Sequence, residues 1–382
     1  MWHDEHVSQK VALGLSPTDT VNNRETSGLA HYSPVTHGML KIDLEFVDGK
    51  ITKAQPILGT MHRGAEKLFE SRDYRQVLVL ANRHEWLSAF SGELGVAAIV
   101  EQALGLDVPE HAQWLRALLL EVNRVTSHLA FIAGFPWQDA DITKQMRELR
   151  ELWVTHFQKY SGSRMHPMLT RVGGLTNAPS INWLEATGTL CEFSQETVAK
   201  LADVTTTELA NYIGVGTVSR SDVVSLSVSG PVARASGYGI DIRETDSSPK
   251  ISGVLTSFPL LQSEGDVRSR IQQLIDEVVQ SFGMISSLAE ECSRQNGSDV
   301  NVLLPKVLRV PEGEYEHSIE TPLGIASWFL VSRGDKMPYR LKLRPASLHT
   351  VLALPNTLID QQRENIDAIL ASMPFVAGDV DR

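Results

Sequence analysis

Asp107 to Pro136, DVPEHAQWLRALLLEVNRVTSHLAFIAGFP, is the stretch that decides the fold class. Trp114, Leu115, Leu118, Leu119, Val122, Val125 and Leu129 recur at helical spacing and form one apolar stripe. Glu121, Arg124 and His128 share another face at i, i+3 and i+7, a pattern that reads as an internal salt-bridge stripe more readily than as a catalytic triad. Asp107-Val108-Pro109-Glu110 reads as a capping box, and Gly134-Phe135-Pro136 stops the helix. A long helix with so apolar a stripe needs other helices to cover it, so a bundle is expected.

Outward from that helix the same logic holds. Upstream, Leu68, Phe69, Tyr74, Val77 and Leu78 keep helical period, and a second run through Leu94, Val96, Ile99 and Val100 closes at Gly105. Before them, Leu40, Ile42, Leu44 and Phe46 alternate with Lys41, Asp43 and Glu45, and Asp48-Gly49 supplies the turn of a hairpin with one buried face. Downstream, Lys144 to Tyr160 reads as helix, and the Gly-rich run from Ser161 to Gly174 as a structured loop. Residues 179 to 211 and 266 to 296 read as two further long helices, separated by Gly/Ser-rich sequence. Ala326 to Ser332 and Met337 to Arg344 form a second hairpin around Arg333-Gly334-Asp335. Residues 1 to 33 lack periodicity and read as a flexible N-terminal arm, with residues 34 to 382 as one domain. The fold class is α+β, mainly a helical bundle with small β-hairpin sheets.

Composition narrows the function. With 35 Lys and Arg against 46 Asp and Glu, a net charge of −11, there is no basic surface for nucleic acid. The longest apolar stretches, Leu94 to Val100 and Gly324 to Val331, fall far short of the roughly 20 residues that span a bilayer. Met1 to Thr20 has charged residues and no apolar core, so it is not a secretory signal, and the cytoplasm is the expected compartment. Cys191 and Cys292 are too few for a disulfide framework or a thiolate-rich metal site. Gly214-Val215-Gly216 does not complete a dinucleotide fingerprint, because Ser219 stands where the third glycine belongs, and no phosphate loop or zinc helix is present. His62-Arg63-Gly64, placed before a helix, suits either an anion, a cluster or a partner subunit, or else only solvent.

Several motifs in order change the reading. Thr36-His37-Gly38, Met61 to Leu68 (MHRGAEKL), Arg83 to Phe90, Glu121-Val122-Asn123-Arg124, Ser161 to His166 (SGSRMH), Val228 to Gly237 (VSGPVARASG), Pro338 to Lys342 (PYRLK) and Gly378 to Arg382 (GDVDR) resemble the D-type component of bacterial NADH-quinone oxidoreductase, the 49-kilodalton subunit of respiratory complex I. The resemblance runs from residue 34 to residue 382. It implies a fold similar to the large subunit of nickel-iron hydrogenases. There the metal is held by thiolates, but here Glu85 and Ser88 fill the first pair of positions, and the C-terminal pattern offers Asp379 and Asp381. Carboxylates and a hydroxyl do not select nickel, so hydrogenase chemistry is excluded and no metal is expected.

The resemblance further implies a quinone-reduction site beside the terminal iron–sulfur cluster of a neighbouring subunit, with quinone as substrate and no redox cofactor on this chain. His37 would donate to a quinone oxygen, flanked by Thr36 and Gly38. Arg63, Arg83, Arg164 and His166 would lie near the partner's cluster and tune it. The family's quinone-contacting Tyr is Trp86 here, able to stack and donate one hydrogen bond but not to act as an acid. Its partner carboxylate aligns with Gln138, which leaves Asp139 as the expected proton source. Ser33 replaces the first His of the family's H-P-S-T-H-G, and Ser247-Ser248-Pro249-Lys250 departs from its pattern too. The implied partners are the iron–sulfur B-type subunit, the C-type subunit and the membrane-arm H-type subunit. The place implied is the cytoplasmic face of the membrane, peripherally, in an assembly that couples quinone reduction to proton translocation. The rival reading is a non-catalytic paralog that keeps the fold and partner surface.

Overall fold

The computed structural model describes residues 7–13, 38–244 and 260–382. In chain order it runs β1 (Val7–Leu13), β2 (Leu40–Val47), β3 (Lys50–Ile57), α1 (Ala65–Glu70), α2 (Tyr74–His84), α3 (Ala89–Leu104), α4 (Glu110–Gly134) and α5 (Ala140–Ser161). Two short strands follow, β4 (Thr170–Arg171) and β5 (Gly174–Leu175), then α6 (Ile181–Leu209), α7 (Arg220–Ser225), α8 (Gly230–Ala235) and α9 (Val267–Arg294). The chain closes with β6 (Gly313–Thr321), β7 (Gly324–Ser332), β8 (Arg340–Arg344), α10 (Ala346–Leu358), α11 (Ile366–Ala371) and α12 (Ala377–Val380). The α+β class and the bundle are therefore as expected.

The long helix α4 is the axis of the bundle, with α9, α5 and α3 packed along it and α6 covering α9. Leu115, Leu118, Leu119, Val122, Val125 and Leu129 are all wholly buried, as the apolar stripe requires. Trp153 of α5 stacks on Phe282 of α9, ring centroids 5.8 Å apart. The expected capping box at α4 does not form: Pro109 is the N-cap residue and no side chain bonds the first turn. Pro109 has no acceptor side chain, and Gln113 instead folds its amide back onto the Val108 carbonyl at 2.8 Å.

Three antiparallel strands, β1-β2-β3, form one sheet, and Leu40, Ile42, Leu44 and Phe46 all point into the core from β2. Val7–Leu13 pairs with β2 from Leu40 to Phe46, so this part of the expected N-terminal arm is a strand. Its register, Val7 against Phe46 through Leu13 against Leu40, supplies the edge of β2 that faces away from β3 with hydrogen-bond partners. The second sheet is β6-β7-β8, one strand larger than the expected hairpin. It docks on α3 where Gly95 leaves room for Trp328: a Cβ there would stand 2.1 Å from the indole Nε1.

A buried ion network crosses the bundle. Arg243 bonds Asp241 at 2.7 Å and Glu121 at 3.0 Å; Arg234 bonds Glu277 at 2.7 Å and Glu320 at 2.9 Å; and His128 meets Glu277 at 3.0 Å. Arg124 joins Glu121 and the Thr321 carbonyl, so the Glu121, Arg124 and His128 face of α4 is a structural salt-bridge stripe.

Candidate functional site

A wide cleft, about 990 Å³, is lined by Gly38, Met39, Thr60, Met61, His62, Arg63, Arg83, Trp86, Met165 and His166. Four segments converge there: the entrance to β2, the turn before α1, the end of α2 with the bend after it, and the loop after α5.

Trp86 is its wall. A Cβ on Gly38 would lie 2.8 Å from the Trp86 ring, and one on Gly378 would lie 2.3 Å from it, so the indole fits only between two glycines. Gly38 also has φ of +74°, a conformation that suits glycine.

The turn beneath is tied down by the C-terminus. Asp381 accepts from the backbone N–H of Gly59 at 2.7 Å and of Met61 at 2.8 Å. His62 Nδ1 donates to the Asp381 carbonyl at 3.0 Å, which holds Arg63 at the cleft edge.

Opposite the turn, Asn82 of α2 organises Arg83 and His166. Its backbone carbonyl accepts from His166 Nδ1 at 3.1 Å and its side-chain oxygen accepts from Arg83 at 2.8 Å. The first bond fixes the proton on Nδ1, so Nε2 is where His166 gains a second proton. Burial first, then the Arg83 charge, lowers the His166 imidazole below its usual range, so it is held neutral near pH 7.

The expected site residues divide. Gly38, Arg63, Arg83, Trp86 and His166 come together at the cleft. Arg164 lines a small neighbouring gap with Trp86 and pairs with Glu151 at 2.7 Å, so its charge is already answered. Asp139 and Gln138 do not line the cleft. Asp139 accepts from the Asp141 N–H as the N-cap of α5, and the backbone N–H groups of Gln138 and Asp139 both donate to Glu208 of α6. The expected proton source is thus a helix cap, because a carboxylate just ahead of a first helical turn finds unpaired N–H groups there. Thr36, His37 and the Ser247-Ser248-Pro249-Lys250 departure lie outside the described residues, while Gly38, next to His37 in sequence, lines the cleft.

Glu85, Ser88, Asp379 and Asp381, read as standing at thiolate positions, are engaged among themselves and with the fold. Asp379 bonds His84 Nδ1 at 2.9 Å, Ser88 donates to Ser91 at 2.7 Å, and Asp381 holds the turn. Burial, reinforced by Asp379, raises the Glu85 carboxyl well above the ordinary range and so disfavours the ionised form that a metal would need. Cys191 and Cys292 are buried in α6 and α9, and burial pushes both thiols up to about 12. Two neutral thiols do not make the four-thiolate cradle of an iron–sulfur cluster.

Asn82, Met61 and Asp381 take part in the site without having been singled out for it. Asn82 gave no signal, since a lone Asn within a helix has no motif; the Asp at the penultimate position did, as part of the closing GDVDR.

The sequence profile of the respiratory-chain NADH dehydrogenase 49 Kd subunit family matches residues 142–307 and 299–382. The second D-type chain of NADH-quinone oxidoreductase from Salinispora tropica is 42% identical over 358 residues, covering 91% of this chain and 91% of the relative. The D-type chain of the Geobacillus thermodenitrificans NADH-quinone oxidoreductase is 31% identical over 358 residues, covering 91% and 96%. Among solved structures, a chain of the membrane-bound sulfane sulfur reductase, an archaeal respiratory membrane complex, superposes with a TM-score of 0.86 over 99% of this chain and 98% of that one. At 24% identity that likeness speaks for the fold alone. The chain belongs to the 49-kilodalton, or D-type, family of respiratory-chain NADH dehydrogenase subunits, a family of components of an oxidoreductase complex.

Proposed function

We propose that this chain forms the quinone-reduction site of a membrane-associated NADH-quinone oxidoreductase, beside the terminal iron–sulfur cluster of a B-type neighbour. The observation that carries the reading is the cleft itself: its volume of about 990 Å³ is at the upper end for a small-molecule site, and an aromatic wall faces Arg63, Arg83 and His166. On this reading the chain has the hydrogenase large-subunit fold with its metal ligands replaced, and carries no redox cofactor. It docks to B-type and C-type subunits and to the membrane-arm H-type subunit, peripherally on the cytoplasmic side. No described helix is long and apolar enough to cross a membrane.

Quinone takes up two electrons from the neighbour's cluster and two protons to leave as quinol. His37, next to Gly38, donates its N–H to one carbonyl oxygen and gives up that proton as charge develops there. Trp86 stacks on the headgroup and contributes at most one N–H. Arg63 and Arg83 place positive charge where electrons arrive, and the second proton comes from water, taken up by the neutral His166 at Nε2 and passed to the other carbonyl oxygen. Reduction then drives proton translocation in the membrane arm.

The test is quinone reductase activity in the assembled complex. His37→Ala is expected to lower kcat by about 100-fold, and Trp86→Tyr to retain or raise it. Undiminished activity in His37→Ala removes His37 from the mechanism.

The second reading, a non-catalytic paralog, is favoured by two observations: Asp139 is committed to capping α5, and Trp86 has no acidic proton to give. It expects an assembled complex with the same turnover whether Trp86 is Trp, Tyr or Phe.

A further inference from the structure

Glu93, in α3, is wholly buried below the cleft and has no part in the chemistry above. Its carboxylate accepts from the backbone N–H of Met168 at 2.7 Å and of Thr170 at 2.9 Å, and also from the side-chain amide of Asn82. Met168 has φ of +51°, a left-handed conformation that a methionine adopts only under constraint. The loop held in that shape is the one that carries His166. Asn82, gripped at its amide by Glu93, presents its two oxygens to Arg83 and His166. One buried carboxylate therefore touches the supports of both Arg83 and His166 on this side of the cleft.

We propose that Glu93 is a positioning residue that sets Arg83 and His166 toward the cleft, by clamping the Met168–Thr170 backbone and orienting Asn82. The proposal rests on the quinone reading for its consequence in turnover, but its geometry does not. Three donors on one carboxylate favour its ionised form. Burial outweighs them, so that with all three bonds in place Glu93 is still pushed up to about 7. Gln in its place keeps the volume, loses the charge and turns one acceptor into an N–H aimed at another N–H. Arg83 and His166 should then lose their fixed positions while the hydrophobic core stays as it is.

The experiment is NMR on the full chain with labelled histidine and backbone amides. In the wild type, the Met168 and Thr170 amide shifts should titrate with one shared midpoint, and His166 should titrate below the free imidazole value. In Glu93→Gln the shared amide midpoint should vanish and the His166 midpoint should rise by about half a pH unit toward the free value. Adding Met168→Gly, which lets the loop take its shape without strain, should restore most of the His166 shift. An unchanged His166 midpoint in a folded Glu93→Gln chain overturns the proposal. If that variant does not fold, Met168 and Thr170 amides with no common titration in the wild type overturn it equally.

In the assembled complex, Glu93→Gln should raise quinone KM several-fold more than it lowers kcat. If His166 moves in Glu93→Gln while His37→Ala leaves turnover intact, the positioning role stands and the quinone reading falls. If His166 stays put while His37→Ala abolishes turnover, the reverse holds.

Discussion

A Cβ on Gly378 would stand 2.3 Å from Cζ3 of Trp86, although the two residues are almost the whole domain apart in sequence. The close approach seats Trp86, the wall of the cleft, against α12 and makes the absence of a side chain at 378 a condition for the indole at 86. Gly378→Ala is therefore expected to cost about 1–3 kcal/mol of stability through overpacking. Because the nearest backbone atom, the His84 carbonyl oxygen, is 3.2 Å away, most of the clash is with the ring. Trp86→Tyr in the same chain should recover much of the loss. Urea denaturation of the two single variants and the double variant checks this, and simple additivity would refute it.

Among the described residues, the buried network holds three guanidiniums, Arg124, Arg234 and Arg243, against four carboxyl groups, Glu121, Asp241, Glu277 and Glu320. Burial together with neighbouring Asp241 pushes Glu320 up to about 7, so a proton there leaves three charges facing three. Glu277→Gln breaks the bonds of Arg234 and His128 and should cost about 3–5 kcal/mol. Glu320→Gln resembles the protonated state and should cost far less. A carboxyl raised in the fold contributes stability that is complete below its unfolded value of 4.5 and is lost as pH rises through about 7. The wild type should thus lose stability from pH 5 to pH 8 relative to Glu320→Gln. Denaturation midpoints of the two chains across that range decide it.

Asp381 bonds two backbone N–H groups of the turn that bears Thr60, Met61 and Arg63. Asp381→Ala leaves both without an acceptor and should cost about 3–6 kcal/mol, since bonds to a charged group contribute about 1.5–3 each. Asp381→Asn keeps one oxygen and should fall between. Hydrogen exchange at Gly59 and Met61 is the direct readout: both amides should exchange faster in the Ala variant, and only one in the Asn variant. Equal protection in all three chains would show that the turn holds without Asp381.

How much of this was legible follows from how local each signal is. The β2–β3 hairpin and α3 through α6 declare themselves because alternation, helical period and Gly105 act within a few residues. β6 does not: Glu314, Glu316 and His317 make Gly313–Thr321 look like solvated loop, and only pairing with β7 and Arg234 buries its far end. Val7–Leu13 likewise becomes a strand only because β2 offers it a free edge. At the site, Trp86, Arg83 and His166 were legible through motifs, whereas their supports were not. Asn82 and Glu93 work through contacts made by folding, and nothing in their own neighbourhoods announces them; Gly378 opens the closing GDVDR motif, yet its contact with Trp86 is likewise made only by folding. That Asp139 caps α5 away from the cleft was not legible either, since an acidic residue before a helix satisfies the first-turn N–H groups wherever it occurs.

His156 offers the last test, away from the cleft. It is stacked on Trp183 with centroids 4.5 Å apart, and Trp183 Nε1 donates to its carbonyl at 2.8 Å. The Thr187 hydroxyl donates to the Trp183 carbonyl, so its oxygen is left to accept the His156 Nε2–H at 2.7 Å. Every bond suits a neutral ring, and burial, with a smaller push from Lys159, lowers the imidazole to about 4. A base depressed in the fold contributes stability that is present above its unfolded value of 6.5 and is lost as pH falls through about 4. The loss should approach about 3 kcal/mol by pH 4. His156→Gln, which cannot titrate yet keeps a donor for Thr187, should start less stable at pH 7 and show a shallower acid limb. Parallel acid limbs for the two chains would mean that some other group governs acid unfolding, and that the α5–α6 contact tolerates an imidazolium.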